Sequence, residues 1–184
     1  MSAGKPLKTP EDYKGLKMRI QSSKVIEAQM RALGANPQVL PFGETYQALQ
    51  TGVVDGTENP PSNLYTQKMH EVQKHATLTN HGYLGYAVIT NKAFWDKLPD
   101  DVRTSLDEAL KESTDFANDI AKAENDKALE AVKASGKTEI HTPTDEETKA
   151  MQQALAPVHN EMAERIGKET IDAVYGATGF DPSK

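Results

Sequence analysis

The chain has 184 residues, 37% of them hydrophobic and 26% charged, enough for one domain or two small lobes around a real core. No run approaches the roughly 18 apolar residues of a membrane span, and no basic-then-apolar leader opens the sequence, so the protein either stays where it is made or has its leader outside this sequence. A net charge of −6 with both signs interspersed argues against a nucleic-acid partner, and the lack of cysteine excludes disulfides, thiol nucleophiles and cysteine metal sites.

In chain order, Leu16-Lys17-Met18-Arg19-Ile20 alternates strictly. Leu16, Met18 and Ile20 share one face and the two cations the other, the pattern of a half-buried strand. Ser22 or Ser23 then caps a helix starting near Lys24, with Val25, Ile26, Met30 and Leu33 on its apolar side and Gly34 as its left-handed stop. Pro37 to Phe42 reads as a second strand. The resulting β-α-β unit requires parallel strands and a right-handed crossover. A second helix, Glu44 to Gln50, ends at Gly52, and Val53-Val54 is expected to be a brief strand. The turn-rich stretch GVVDGTENPP, Gly52 to Pro61, follows, with Gly52 and Gly56 expected in tight turns. YTQKMHEVQK, from Tyr65, reads as an amphipathic surface helix.

Tyr83 to Asn91 alternates around Leu84, Tyr86, Val88 and Thr90 and is the next strand candidate. From Pro99-Asp100 to Gly136 neither glycine nor proline interrupts the chain, and Val102, Leu106, Leu110, Ile120, Leu129 and Val132 recur at helical spacing. An unbroken helix there would run roughly 50 Å, so it must bridge two bodies, project outward or contain a break. Thr138 to Thr142 is a returning strand and Thr144-Asp145-Glu146-Glu147 a capping box. Pro157 and Gly167 are expected to divide the remainder into short helices, and the tail from Gly179 to fray.

Few residues carry chemistry on their own. His70, His75 and His81 do not align on one helix face, no zinc signature is present, and neither a Gly-x-Ser-x-Gly elbow nor a phosphate-binding glycine loop occurs. The chain is therefore expected to be no enzyme and to need no cofactor or metal. Arg19 differs by its place. In a parallel α/β sheet, ligands bind beyond the carboxyl ends of strands. Arg19 stands at such an end, before a helix amino terminus, and its planar fork suits a carboxylate. The competing reading is an edge arginine paired with a surface glutamate.

Four separated segments settle more. TPEDYKGLKMRI (Thr9 to Ile20), PFGETYQALQTGVVDGTENPP (Pro41 to Pro61), KMHEVQKH (Lys68 to His75) and NKAFWDKLPDDVR (Asn91 to Arg103) resemble, in order, the DctP-type substrate-binding proteins of tripartite ATP-independent periplasmic (TRAP) transporters. That resemblance implies an α/β periplasmic-binding-protein-like clamshell that captures small organic acids and delivers them to TRAP membrane permease subunits. It implies that Arg19 pairs with the ligand carboxylate, that Asn59 donates to the same ligand and that Phe42 forms an aromatic wall. Less directly, it places Ser22 at a polar ligand or water contact, where a helix cap is the alternative. Tyr83 falls near the cleft, where a packed core tyrosine is the alternative.

The resemblance further implies that relatives carry roughly a hundred-odd residues before the TPEDYKGLK motif, most of the first lobe of ordinary lobe size. By that comparison residues 1–84 form the second-lobe α/β unit, 85–119 a remnant of the first lobe, 120–136 a spanning helix, and 137–184 the closing second-lobe strand and helices. The apolar stripe of the long helix must then repack, form a homodimer or meet the other lobe in another chain. The expected function is solute-binding reception of a C4-dicarboxylate in the periplasm. A ligand-sensing module of a membrane signalling system and a non-binding truncated lobe are the alternatives.

Overall fold

The computed structural model describes residues 1–182. Its strands and helices follow in the order β1 (Ser2–Ala3), β2 (Lys17–Ile20), α1 (Lys24–Ala32), β3 (Asn36–Val39), α2 (Thr45–Gln50), β4 (Gly56–Thr57), α3 (Pro61–Thr66), β5 (His75–Thr77), α4 (Lys92–Trp95), α5 (Asp100–Ser135), β6 (Glu139–His141), α6 (Asp145–Glu161), α7 (Ala163–Ile166) and α8 (Lys168–Thr178). The strands form one sheet in the order β3-β2-β4-β1-β5-β6. β3, β2 and β4 run parallel, as do β5 and β6, and β1 lies antiparallel between β4 and β5. This α/β sheet, clothed by helices on both faces, matches the expected fold class.

One core layer joins Leu7, Tyr13, Met18, Ile20, Met30 and Leu33 to Met151 and Leu155 of α6. The other joins Ala48, Leu49, Val54, Leu64, Met69 and Val132, from α2, α3 and α5 and the segments between them. The β2-α1-β3 unit forms for the reasons the pattern gives. Ser23, not Ser22, caps α1 by accepting a hydrogen bond from the Ile26 amide at 3.3 Å. Gly34 closes it at φ +75°. The alternation in β2 is only half right. Lys17 is exposed, but Arg19 is buried with Met18 and Ile20, so both faces of this interior strand are covered.

Several expectations fail for physical reasons. Val53-Val54 is not a strand: Val54 turns into the core, and the paired residues are Gly56 and Thr57. Nor does Gly56 serve a turn. A Cβ there would collide with the Ser2 carbonyl oxygen and lie 2.8 Å from the Met18 sulfur, so glycine is what lets β1 and β4 approach. The second strand spans Asn36–Val39 and not Pro37 to Phe42, since Phe42–Glu44 already turns as a 3-10 helix. YTQKMHEVQK is not one helix, because Lys68 at φ +55° breaks the chain between α3 and a 3-10 turn that buries Met69 and His70. Pro157 fails to divide α6, which continues to Glu161, while Gly167 does separate α7 from α8.

Tyr83 to Asn91 is not a strand. With no neighbouring strand to take its amides, an alternating segment stays irregular and solvated. α5 is continuous over 36 residues and projects: from Asp100 to Glu124 every residue except Arg103 is exposed, and burial starts at Asn125. Its apolar pattern does not make it a membrane span, for no helix among the described residues is long and apolar enough to cross one. The tail does not simply fray, since Phe180 packs on His159 and Tyr175 with ring centroids 5.8 and 5.7 Å away; residues 183–184 lie outside the described residues.

Candidate functional site

Arg19 is 1% exposed. Register places it beside Gln38 of β3 and Thr57 of β4, and its side chain runs past the end of β3. There Nε and Nη2 both donate to the Leu40 carbonyl, at 3.0 and 2.8 Å, and the guanidinium carbon lies 5.8 Å from the centre of the Phe42 ring. Nη1 is buried with no hydrogen-bond partner among the described residues. Burial holds the pKa of Arg19 below its ordinary value, and the negative charge of nearby Glu58 opposes that shift. A guanidinium nevertheless stays charged in a protein. Leaving such a donor unsatisfied costs about 1–3 kcal/mol, which an arriving carboxylate would recover.

Glu58 is itself buried and does not hydrogen-bond Arg19. It accepts from the Gln21 side-chain amide at 3.0 Å and lies 3.5 Å from the His81 Nε2. The next residue, Asn59, donates to Thr57 Oγ1 at 3.1 Å and touches the Met69 sulfur at 3.7 Å. Asp55 fixes the start of this turn by accepting the Lys17 amide at 2.7 Å. Pro60 and Pro61 fix its exit by leading into α3. The turn therefore presents Asn59 preorganised, held by side-chain bonds and by strand pairing.

Beside the turn lies a cavity of about 640 Å³, with Gln21, Ser23, Glu58, Asn59, His81 and Asn125 among its walls. Of the five residues expected at the site, Asn59 and Tyr83 line it. Arg19, Phe42 and Ser22 do not; Arg19 and Phe42 sit together beyond the end of β3, and Ser22 is exposed next to the cap. Tyr83 is 95% exposed, so it is no packed core tyrosine. A second cavity, of about 560 Å³ and largely apolar, lies behind residues 77–81, against Leu155 of α6 and Val174 of α8. Among the described residues no group of three or more His, Asp or Glu side chains is placed to hold a metal ion.

Residues 1–166 match the model of the bacterial extracellular solute-binding proteins, family 7 (DctP). The chain belongs to this family. It is 70% identical over 178 residues to the C4-dicarboxylate-binding periplasmic protein DctP of Rhodobacter capsulatus, covering 97% of this chain and 54% of that protein. A TRAP periplasmic solute-binding protein from Shewanella oneidensis, solved with bound succinate, superposes with a TM-score of 0.93 at 40% identity, over 96% of this chain and 58% of that one. A third, from Pseudomonas aeruginosa with bound L-malate, gives a TM-score of 0.83 at 43% identity over 87% and 56%. The chain thus spans about half the length of the relatives it matches. As in its neighbours, the fold is that of a TRAP receptor, which is a binding protein and not an enzyme family.

Sequence reasoning passed over Gln21, Glu58 and His81 as site residues. Glu58 stood inside the turn-rich motif, and a carboxylate directly before Asn59, itself expected at the site, was the available signal. For His81 the signal was weaker: a histidine at the exit of β5, followed by glycine.

Proposed function

We propose that this chain is the carboxylate-anchoring portion of a periplasmic TRAP receptor, that its ligand is a C4-dicarboxylate, and that the complete receptor hands the acid to membrane permease subunits. One observation carries the reading: a guanidinium almost wholly buried, with no carboxylate hydrogen-bonded to it and one nitrogen unpartnered. Structural arginines at that depth are normally satisfied by an internal acid. Succinate and L-malate in the two solved neighbours support the ligand class.

In this reading Arg19 takes one carboxylate, Asn59 orients the acid, and Phe42 stacks over the guanidinium from the solvent side. The exposed stretch from Tyr83 through the first half of α5 belongs against a second body, which closes on the ligand, excludes water and strengthens the ion pair. Residues 1–84 and 137–184 form the anchoring lobe, 85–119 contribute to the other lobe, and 120–136 span the two.

The test joins this chain to the part of the Rhodobacter capsulatus relative outside the match and titrates it with succinate, L-malate and fumarate by calorimetry. Micromolar binding is expected, and Arg19→Ala should cost about 2–5 kcal/mol, roughly 30-fold or more. Equal affinity with and without the guanidinium removes Arg19 from the site. The 184-residue chain by itself is expected to bind in the millimolar range, because one lobe alone encloses only one side of the acid; micromolar affinity there would contradict the need for a second body.

A further inference from the structure

We propose that Asn125 is a positioning residue for the solute site: it latches the long helix α5 to the turn that carries Asn59, so that the pose of α5 sets the pose of Asn59. This rests on the reading of Asn59 as the residue that orients the acid. Asn125 stands where α5 stops projecting and burial begins, and it lines the same cavity as Asn59, Pro60 and Pro61. Asparagine disfavours the interior of a helix, here one of 36 residues, because its short side chain competes for backbone groups. In α5 both ends of that side chain are engaged. Nδ2 donates to the Ala121 carbonyl one turn back at 3.0 Å, which fixes the rotamer, and Oδ1 accepts the Ser62 amide at 3.1 Å.

α3 depends on that bond because its own sequence cannot supply it. Its first residue, Pro61, has no N–H, and Pro60 at the cap position has no side-chain acceptor for the first turn. The Ser62 amide is thus the first free donor of α3, and its acceptor comes from 63 residues away in the chain. Between Ser62 and Asn59 stand only Pro60 and Pro61, whose rings fix φ, and the Pro60 carbonyl is tied into α3 by the Leu64 amide at 3.1 Å. A shift of α5 at Asn125 therefore reaches Asn59 through backbone with little freedom to absorb it. On the other side Asn59 is held by Thr57 and Met69. The latch supplies the remaining restraint, and without it the acid must order the turn as it binds.

The experiment compares the 184-residue chain with three variants. Hydrogen exchange of the Ser62 amide reports the latch, the Asn59 side-chain amide signals in NMR report the turn, and a millimolar succinate titration followed on those signals reports binding. Asn125→Ala should speed Ser62 exchange about tenfold, the size of a lost cap, shift the Asn59 signals and weaken succinate about threefold or more. Alanine is the better helix former, so α5 itself is not weakened. Asn125→Asp keeps the acceptor and should restore Ser62 protection and the parent Asn59 signals in the free chain; its affinity is left out of the comparison because the added charge repels the acid. Val132→Ala loosens α5 against the core away from the latch and should leave Asn59 and succinate affinity at parent values. If Asn125→Ala leaves Asn59 and succinate binding unchanged, or if Val132→Ala reproduces its effects, the latch is refuted and Asn59 keeps its role. If succinate moves no Asn59 signal in the parent chain, the reading of Asn59 falls and the latch with it.

Discussion

The two halves of α5 carry the same kind of apolar pattern and end in opposite surroundings. Ala128 and Val132 are buried beside the sheet, whereas Val102, Leu106, Leu110 and Ile120 are exposed on the projecting half. The segment Tyr83 to Asn91 repeats the contrast for a strand, since Leu84, Tyr86, Val88 and Thr90 alternate as β2 does, yet the segment stays irregular, with Tyr86 and Val88 exposed. Periodicity reports that a segment is built to meet a partner. Whether it does depends on what else the chain brings within reach, and here the sheet reaches only one half.

The sharpest way to break this contrast is a pair of truncations. Met30 is fully buried in the α1–α6 layer, so Met30→Ala should cost about 2–5 kcal/mol in urea unfolding. Leu106 is 39% exposed, and Leu106→Ala should stay within about 0.5 kcal/mol. A Leu106→Ala cost that grows with protein concentration would show the stripe paired with a second copy. A large cost at every concentration would mean that the projecting half packs on its own chain.

Next in size is Gly56→Ala, which tests whether β1 belongs to the sheet body. The added methyl would meet the Ser2 carbonyl oxygen and the Met18 side chain, and the backbone contact has no flexible end to yield. A destabilisation of about 1–3 kcal/mol is expected, the usual range for overpacking. A neutral outcome would mean that β1 is not seated between β4 and β5.

How much of this was legible beforehand varied with how local the cause is. The β2-α1-β3 unit, the Gly34 stop and the Thr144 cap rest on contacts within a few residues, and the sequence displays such causes directly. Gly56 was assigned to a turn because its real constraint is Ser2, more than fifty residues away in the chain and adjacent in the sheet. Arg19 was legible as a residue of interest, but not its depth: an alternating strand suggests one wet face, and only the helices laid over both faces bury it. His81 and Glu58 were missed for the same reason, since their pairing joins the exit of β5 to the turn after β4.

The smallest expected effect concerns the Thr144 cap at the start of α6. Glu147 accepts the Thr144 amide at 2.9 Å and lies 2.7 Å from His141 Nε2, and these contacts, the backbone bond foremost, hold its pKa below the ordinary 4.5. A carboxyl whose pKa is depressed by folding stabilises the protein above its unfolded value and loses that contribution as pH falls through the folded one. Glu147→Gln should therefore be less stable than the parent above pH 4.5, with the gap in urea midpoint closing below it. A gap unchanged down to pH 2 would assign the loss to altered packing, and the carboxylate's bond to the helix start would not be what secures α6 against the sheet.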